Sequence, residues 1–258
     1  MVTAILFSIV VMAVFAPLFA TQDPYAGNVM ARLKPIGTAG HWMGTDETGR
    51  DIWARLVYGA RMSLISGIAP VTAALLIGGF LGVTAGYMGG LVNTLIMRTM
   101  DVFYAFPSIL LAIAICGMLG NGLTNAILAL SIVFIPPMVR IAETVTTQAR
   151  NLDFVEAARA SGTTTLQIVR HHVLSNVLGA IMVYATSLIS LSAGLTFLGL
   201  GVTPPQPERG LMLNSLRQAI YVQPLVAALP GACIFITSMC FNLMSDGFRG
   251  AMDIKLNR

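Results

Sequence analysis

Glu156-Ala157-Ala158-Arg159-Ala160-Ser161-Gly162, running on to His171-His172-Val173-Leu174, is a polar island in a very apolar chain. The uncharged run before it ends at Arg140, and another begins just after His172. The island carries charges of both signs and the marks of a short helix. Asp153 stands where an N-cap is wanted, and Glu156 three residues later completes a capping box. Gly162 supplies the stop. The spacing predicts a short helix, a break and a second helix, set between two membrane spans. Taken alone, these residues would suit any solvated loop of a polytopic protein.

Composition says why the neighbours are spans. Of 258 residues, 56% are hydrophobic and 10% charged, against about 25% charged in a soluble domain. Such a chain belongs in a bilayer. Its net charge of +4 is scattered rather than gathered into a stripe, which argues against a nucleic-acid partner. Cys116, Cys233 and Cys240 all lie in apolar runs without C-x-x-C spacing. Cys233 and Cys240 share a helix face, yet a metal site there would need more ligands, so all three read as free buried thiols.

Uncharged stretches of about twenty residues mark the spans, since about 30 Å of hydrocarbon is crossed at 1.5 Å per residue. They fall at about 2–20, 63–86, 92–118, 123–142, 176–198 and 223–245. The organisation predicted is an all-α integral membrane protein of six transmembrane helices. Residues 1–61 hold the first span and a polar, extracytoplasmic segment; residues 62–258 hold a five-span core with a loop at 143–174. Gly78, Gly82 and Gly86 recur at every fourth position of the second span, a spacing that lets two helices approach closely in lipid. Arg98 and Asp101, three apart on one face of the third span, read as a mutually neutralising pair that snorkels to the interface. Pro107 should bend that helix.

Gly44-Thr45-Asp46-Glu47-Thr48-Gly49-Arg50-Asp51 has the outline of a phosphate loop but fails where it matters. Arg50 replaces the lysine, Asp51 would repel phosphate, and no buried strand precedes it. Other catalytic patterns are missing too. There is no H-E-x-x-H and no G-x-S-x-G; His171 and His172 point to different helix faces; His41 has no nearby partner in sequence. No carboxylate sits mid-span, where a proton-coupled carrier commonly keeps one. A secondary carrier or channel is thereby the weaker class.

Several of these stretches resemble one family. Glu156-Ala157-Ala158, three residues, Gly162, then nine residues before His172-Val173-Leu174-Ser175, is similar to the EAA loop of ABC importer permeases, with His172 for the usual isoleucine and Ser175 for the usual proline. The missing proline removes the mark of a sharp start to the fifth span. The run from Gly44 to Asp51, followed by Arg55-Leu56-Val57-Tyr58-Gly59-Ala60-Arg61, resembles the segment before the second span in dipeptide, oligopeptide and nickel permeases. So do Asp101 to Ser108, Asp246-Gly247-Phe248-Arg249, and the run from Thr196 to Gly210, in which Arg209 stands for an interfacial tryptophan.

The resemblance implies a type I importer permease without catalytic residues, in a bacterial or archaeal cytoplasmic membrane. It implies a second homologous permease subunit, two ATPase subunits that hold ATP-Mg, and an extracytoplasmic substrate-binding protein. The chain itself would bind no cofactor. Glu156, Ala157, Ala158, Arg159, Gly162 and Leu174 would form the coupling segment. Glu156 would cap the helix or contact the ATPase groove, the alanines would allow close approach, and Gly162 would permit the turn. Di- or oligopeptides are the first expectation for substrate, and nickel or a metal chelate the second. Lys and Arg divide eight against seven between the two sides, so charge bias does not orient the chain and the resemblance must. A first span beginning in the cytoplasm ordinarily has a basic leader. Met1–Ala20 has none, so a start upstream of Met1, or a trimmed leader, is expected. The intact mass of the native product checks this, and a mass matching Met1–Arg258 would contradict it.

Overall fold

A computed structural model of the chain describes residues 2–195 and 203–256. The run Thr196–Val202, read above as the end of the fifth span, lies outside the described residues. Among the described residues the α-helices run in the order α1 (Val2–Val14), α2 (Ala16–Phe19), α3 (Ile52–Met88), α4 (Gly90–Tyr104), α5 (Ser108–Leu119), α6 (Leu123–Arg150), α7 (Asp153–Ala160), α8 (Thr165–Gln167), α9 (Leu174–Leu195), α10 (Arg209–Ser215) and α11 (Pro224–Leu256). A π-helical turn, Ile168–Val173, joins α8 to α9. Among the described residues, four helices are long and apolar enough to cross a membrane: α3, α6, Thr165–Ser192 and Pro224–Gly250. A fifth crossing is available if α4 and α5, bent by 82° at their junction, act as one broken span. Val2–Val14 is apolar but shorter.

Three boundaries differ from those read in the sequence. The second span's helix begins at Ile52 rather than near 63, because Asp51 caps it: its Oδ2 accepts the Ala54 N–H at 2.8 Å. At about 55 Å, α3 is much longer than the hydrocarbon is thick. The third span is broken rather than gently bent, with Ala105, Phe106 and Pro107 between its halves. Residues Thr165–Ser192 form one continuous span-length helix. Ser175 keeps the backbone N–H that proline would lack, so no break falls there.

The chain divides into two compact units. The first comprises Met1–Ile68, Cys116–Ile127 and Ile189–Met244. Here Ala16 and Ala20 pack on Ala54 and Val57, and the Trp53 indole donates to Phe19 O at 2.9 Å. Ile52, Leu56, Met212, Leu216 and Val226 form a second apolar cluster. Ser192 Oγ donates to Ser66 O, and Ser190 Oγ to Ser238 O, each at 3.1 Å. These bonds tie α9 to α3 and α11 where water is scarce.

The second unit comprises Ala69–Ile115, Leu128–Leu188 and Ser245–Arg258. The lower part of α3 packs here on α6 with almost no space between backbones. A Cβ on Gly82 would stand 2.5 Å from Val139 O and 2.6 Å from Ala142 Cβ. On Gly86 it would meet Glu143 O at 2.6 Å, and on Gly78 Met138 Cβ at 2.9 Å. Gly79, one residue along, faces open space. Arg150, at the end of α6, donates to Tyr87 O at 2.9 Å, which satisfies a carbonyl in the last turn of α3. Asn93 on α4 donates to Glu143 Oε1 at 2.7 Å. Gly82→Val should cost about 1–3 kcal/mol by overpacking, read as a lower thermal midpoint of the purified chain. Gly79→Val should leave that midpoint nearly unchanged; equal losses would contradict the packing.

Candidate functional site

The segment from Asp153 to Leu174 is built by a few buried anchors under an exposed surface. Val155 on α7, and Ile168 and Val173 on the π-helical turn, are at most 1% exposed. The Phe154 ring stands 6.3 Å from the His172 ring. Glu156, Ala157, Arg159 and Gly162 are exposed, and Ala158 and Leu174 half-buried. Leu152, Phe154 and Leu166 expose 47%, 40% and 77% of their surface, an apolar rim around the exposed face of α7. The capping box expected at Asp153 and Glu156 does not form. Asp153 is already the first helical residue, Leu152 holds the cap position, and no side chain caps it. Instead Gln167 Oε1 accepts from the Thr164 N–H and hydroxyl, at 3.3 and 2.9 Å, and so braces the next helix start.

The stop at Gly162 is a Schellman turn. Its φ is +79°, a conformation that glycine adopts without a Cβ penalty. Gly162 N–H donates to Arg159 O at 3.1 Å and Thr163 N–H to Ala158 O at 3.2 Å. Two carbonyls at the end of α7 are thereby satisfied, and the chain turns at once into α8.

The intramembrane charges have other partners than sequence proximity gives. Arg98 lies only 3.9 Å from Asp101, whereas Arg140 of α6 donates to Asp101 Oδ1 at 2.7 Å. Arg140 also stacks 4.7 Å from the centre of the Tyr104 ring. Arg140 is separated from Asp101 by 39 residues, and only a fold that packs α4 on α6 brings them together.

The run Gly44–Asp51 is a structural turn. Asp46 accepts from the Thr48 N–H and hydroxyl and from the Arg50 N–H, all within 2.9 Å. A Cβ on Gly49 would collide with Asn28 O at 1.8 Å. His41 does have a partner, the N-cap Asp51, at 3.0 Å. Arg55, 4% exposed, donates to Pro24 O and Pro205 O and pairs with Asp46 at 3.5 Å. Arg209, expected where an interfacial tryptophan would sit, is buried at 6% exposure. It donates to Leu56 O and to Thr237 Oγ1. Its neighbour Glu208 caps α10 by accepting from the Gly210 and Leu211 N–H groups at 3.0 and 2.7 Å, and accepts from the Ser63 hydroxyl at 3.2 Å. Burial pushes the Glu208 carboxyl above its ordinary range, against the opposing pull of these bonds and Arg209. Burial likewise lowers the Arg209 guanidinium from its usual value.

These features, apolar span-length helices with polar groups bonded between them and an exposed helix–turn–helix, are those of a polytopic helical membrane protein. Residues 78–258 match the family described as "Binding-protein-dependent transport system inner membrane component", and the chain belongs to that family. The dipeptide transport system permease protein DppC of Alkalihalophilus pseudofirmus is 43% identical over 256 residues, covering 98% of this chain and 84% of that protein. The glutathione transport system permease protein GsiD of Pectobacterium atrosepticum is 41% identical, covering 87% of this chain and 76% of that one. In fold, the chain is similar to the inward-facing MetNI methionine ABC transporter, with a TM-score of 0.64 at 21% identity, covering 76% of this chain and 95% of that one. The chain is thus an ABC importer permease subunit, a non-catalytic membrane component whose partner subunits hydrolyse ATP.

The raised Glu208 value sets a sign. A carboxyl whose folded pKa is raised is stabilising while protonated, and that contribution is lost as pH rises from the ordinary value, 4.5, through the raised one. Thermal unfolding across that window should show the wild type losing stability relative to Glu208→Gln. A constant difference would show that Glu208 titrates normally.

Proposed function

We propose that this chain forms half of the pathway of a di- or oligopeptide importer in the cytoplasmic membrane of a bacterium or archaeon. It pairs with a second homologous permease, rests on two ATPase subunits that bind ATP-Mg, and receives cargo from an extracytoplasmic binding protein. The observation that carries the substrate reading is the strength of its likeness to permeases named for dipeptide and for glutathione, both peptides, over most of the chain. The chain's fifteen methionines do not favour a nickel or metal-chelate cargo, since methionine fills apolar gaps well.

Coupling falls to α7 and the turn after it. Val155, Ile168 and Val173 are the buried anchors of the segment. Glu156, Ala157, Ala158 and Arg159, with the apolar rim of Leu152, Phe154 and Leu166, meet the ATPase. Leu174 begins α9, so a push on α7 is delivered through Gly162 and the π-helical turn into a span. Movement of this kind requires contacts that differ between the ATP-bound and free states.

Gly162 gives a clean test, because nothing lies within 4 Å of a Cβ built there. Gly162→Val therefore adds no clash, only the left-handed backbone penalty of about 1–2 kcal/mol. In proteoliposomes holding the whole transporter, this variant should insert normally, hydrolyse ATP and transport little. Unchanged transport would sink the coupling assignment. Dipeptide or glutathione uptake that depends on ATP and on the binding protein tests the substrate reading; uptake of nickel alone would overturn it.

A further inference from the structure

Two features of the second unit fall on one short stretch, and the coupling scheme uses neither. The first is the charged group of Arg98, Asp101 and Arg140, whose side chains are 81%, 44% and 48% exposed. Half-exposed charges within spans are costly against lipid and almost always face a bundle interior or a water-filled cavity. The second is the 82° break between α4 and α5. Every residue from Asp101 to Leu110 is exposed, including Ala105, Phe106 and Pro107 at the break. A helix opened at membrane depth frees backbone carbonyls, which are tolerated only against protein or water. On α4, Asp101 lies about one helical turn before the break and Arg98 about two. Charges and break both fit an aqueous pathway better than a lipid face.

The chemistry of the group specifies a ligand. Two guanidinium groups surround one carboxylate, leaving a net charge of +1. Arg140 is held in place by its 2.7 Å bond to Asp101 and by stacking on Tyr104. Arg98 is not: it approaches Asp101 only to 3.9 Å. Its planar fork is open to a second carboxylate, which guanidinium binds in bidentate fashion. We propose that Arg98, beside the Asp101–Arg140 pair, is a carboxylate-binding site on the translocation pathway. Asp101 holds the arginines together in the empty pathway, and the C-terminal carboxylate of a peptide adds to Arg98 in transit. The peptide part of this assignment rests on the function proposed above; the anion site rests on the geometry alone.

A thiol reporter separates the two. Val102 is 63% exposed and lies four residues after Arg98 on the same helix face. The whole transporter, with Cys116, Cys233 and Cys240 changed to Ala and Val102→Cys, is placed in nanodiscs of zwitterionic lipid. It is labelled with methanethiosulfonates that carry either a sulfonate or a trimethylammonium group. Each rate is divided by that reagent's rate with a small thiol in solution, and on this scale the anionic reagent should react about tenfold faster than the cationic one. Arg98→Gln should remove that preference, and Arg98→Lys should keep most of it. Equal rates, a cationic preference or no labelling would overturn the site. Excess dipeptide should then slow anionic labelling, whereas the same dipeptide as its C-terminal amide should not. A preserved charge preference with no protection by either peptide supports the anion site and overturns the peptide reading.

Discussion

The second unit depends on the close approach of α3 and α6. In lipid no hydrophobic force draws two apolar helices together, so packing and polar contacts must. Three glycines supply the packing: at each, a Cβ would stand less than 3.0 Å from α6. At that distance the helix ends meet. Arg150 reaches the Tyr87 carbonyl, and Glu143 accepts from Asn93 and Thr147 at 2.7 and 3.2 Å. The end of α6 is thereby held, and α7 starts three residues after it. The launch point of the coupling segment is set by a contact whose glycines lie more than sixty residues earlier.

A second constraint, acting in each unit by itself, is that most polar groups among apolar helices find partners, Thr146 Oγ1 being an exception. Serine hydroxyls donate to carbonyls between α9 and its neighbours, and Ser187 meets Ser245 at 2.9 Å. Arg55 spends its donors on loop carbonyls, and Glu208 spends its acceptors on a helix start. The charged loops of the first unit are consequently structural. The look-alike of a phosphate loop has its Asp46 turned inward onto its own backbone.

Much of the helical plan was readable from where charge is absent, and the turn at Gly162 from glycine's place after a short amphipathic run. The failures have a common cause. Arg55 and Arg61 read as loop because charges usually sit in water, yet α3 passes through both, with Arg55 buried among carbonyls. Arg209 read as a lost interfacial anchor because sequence cannot show that Thr237 and Leu56 wait for it. The pair of Arg98 and Asp101 is present at 3.9 Å, but the closer partner Arg140 lies on another helix, and only spacing along one helix is visible without the fold. The capping box failed by one residue, since Asp153 already lies inside α7 and boundary shifts of that size are invisible to pattern.

The central claim is that the exposed face of α7 is where the ATP cycle of another subunit enters this chain. Ala157 is exposed there and small, so a cysteine in its place reports contact without altering the fold. In the assembled transporter on a background with Cys116, Cys233 and Cys240 changed to Ala, Ala157→Cys should cross-link through a short bifunctional reagent to the ATPase subunit, with a yield that changes when ATP is bound. Cross-linking to the substrate-binding protein, or none to the ATPase in either state, would contradict the account.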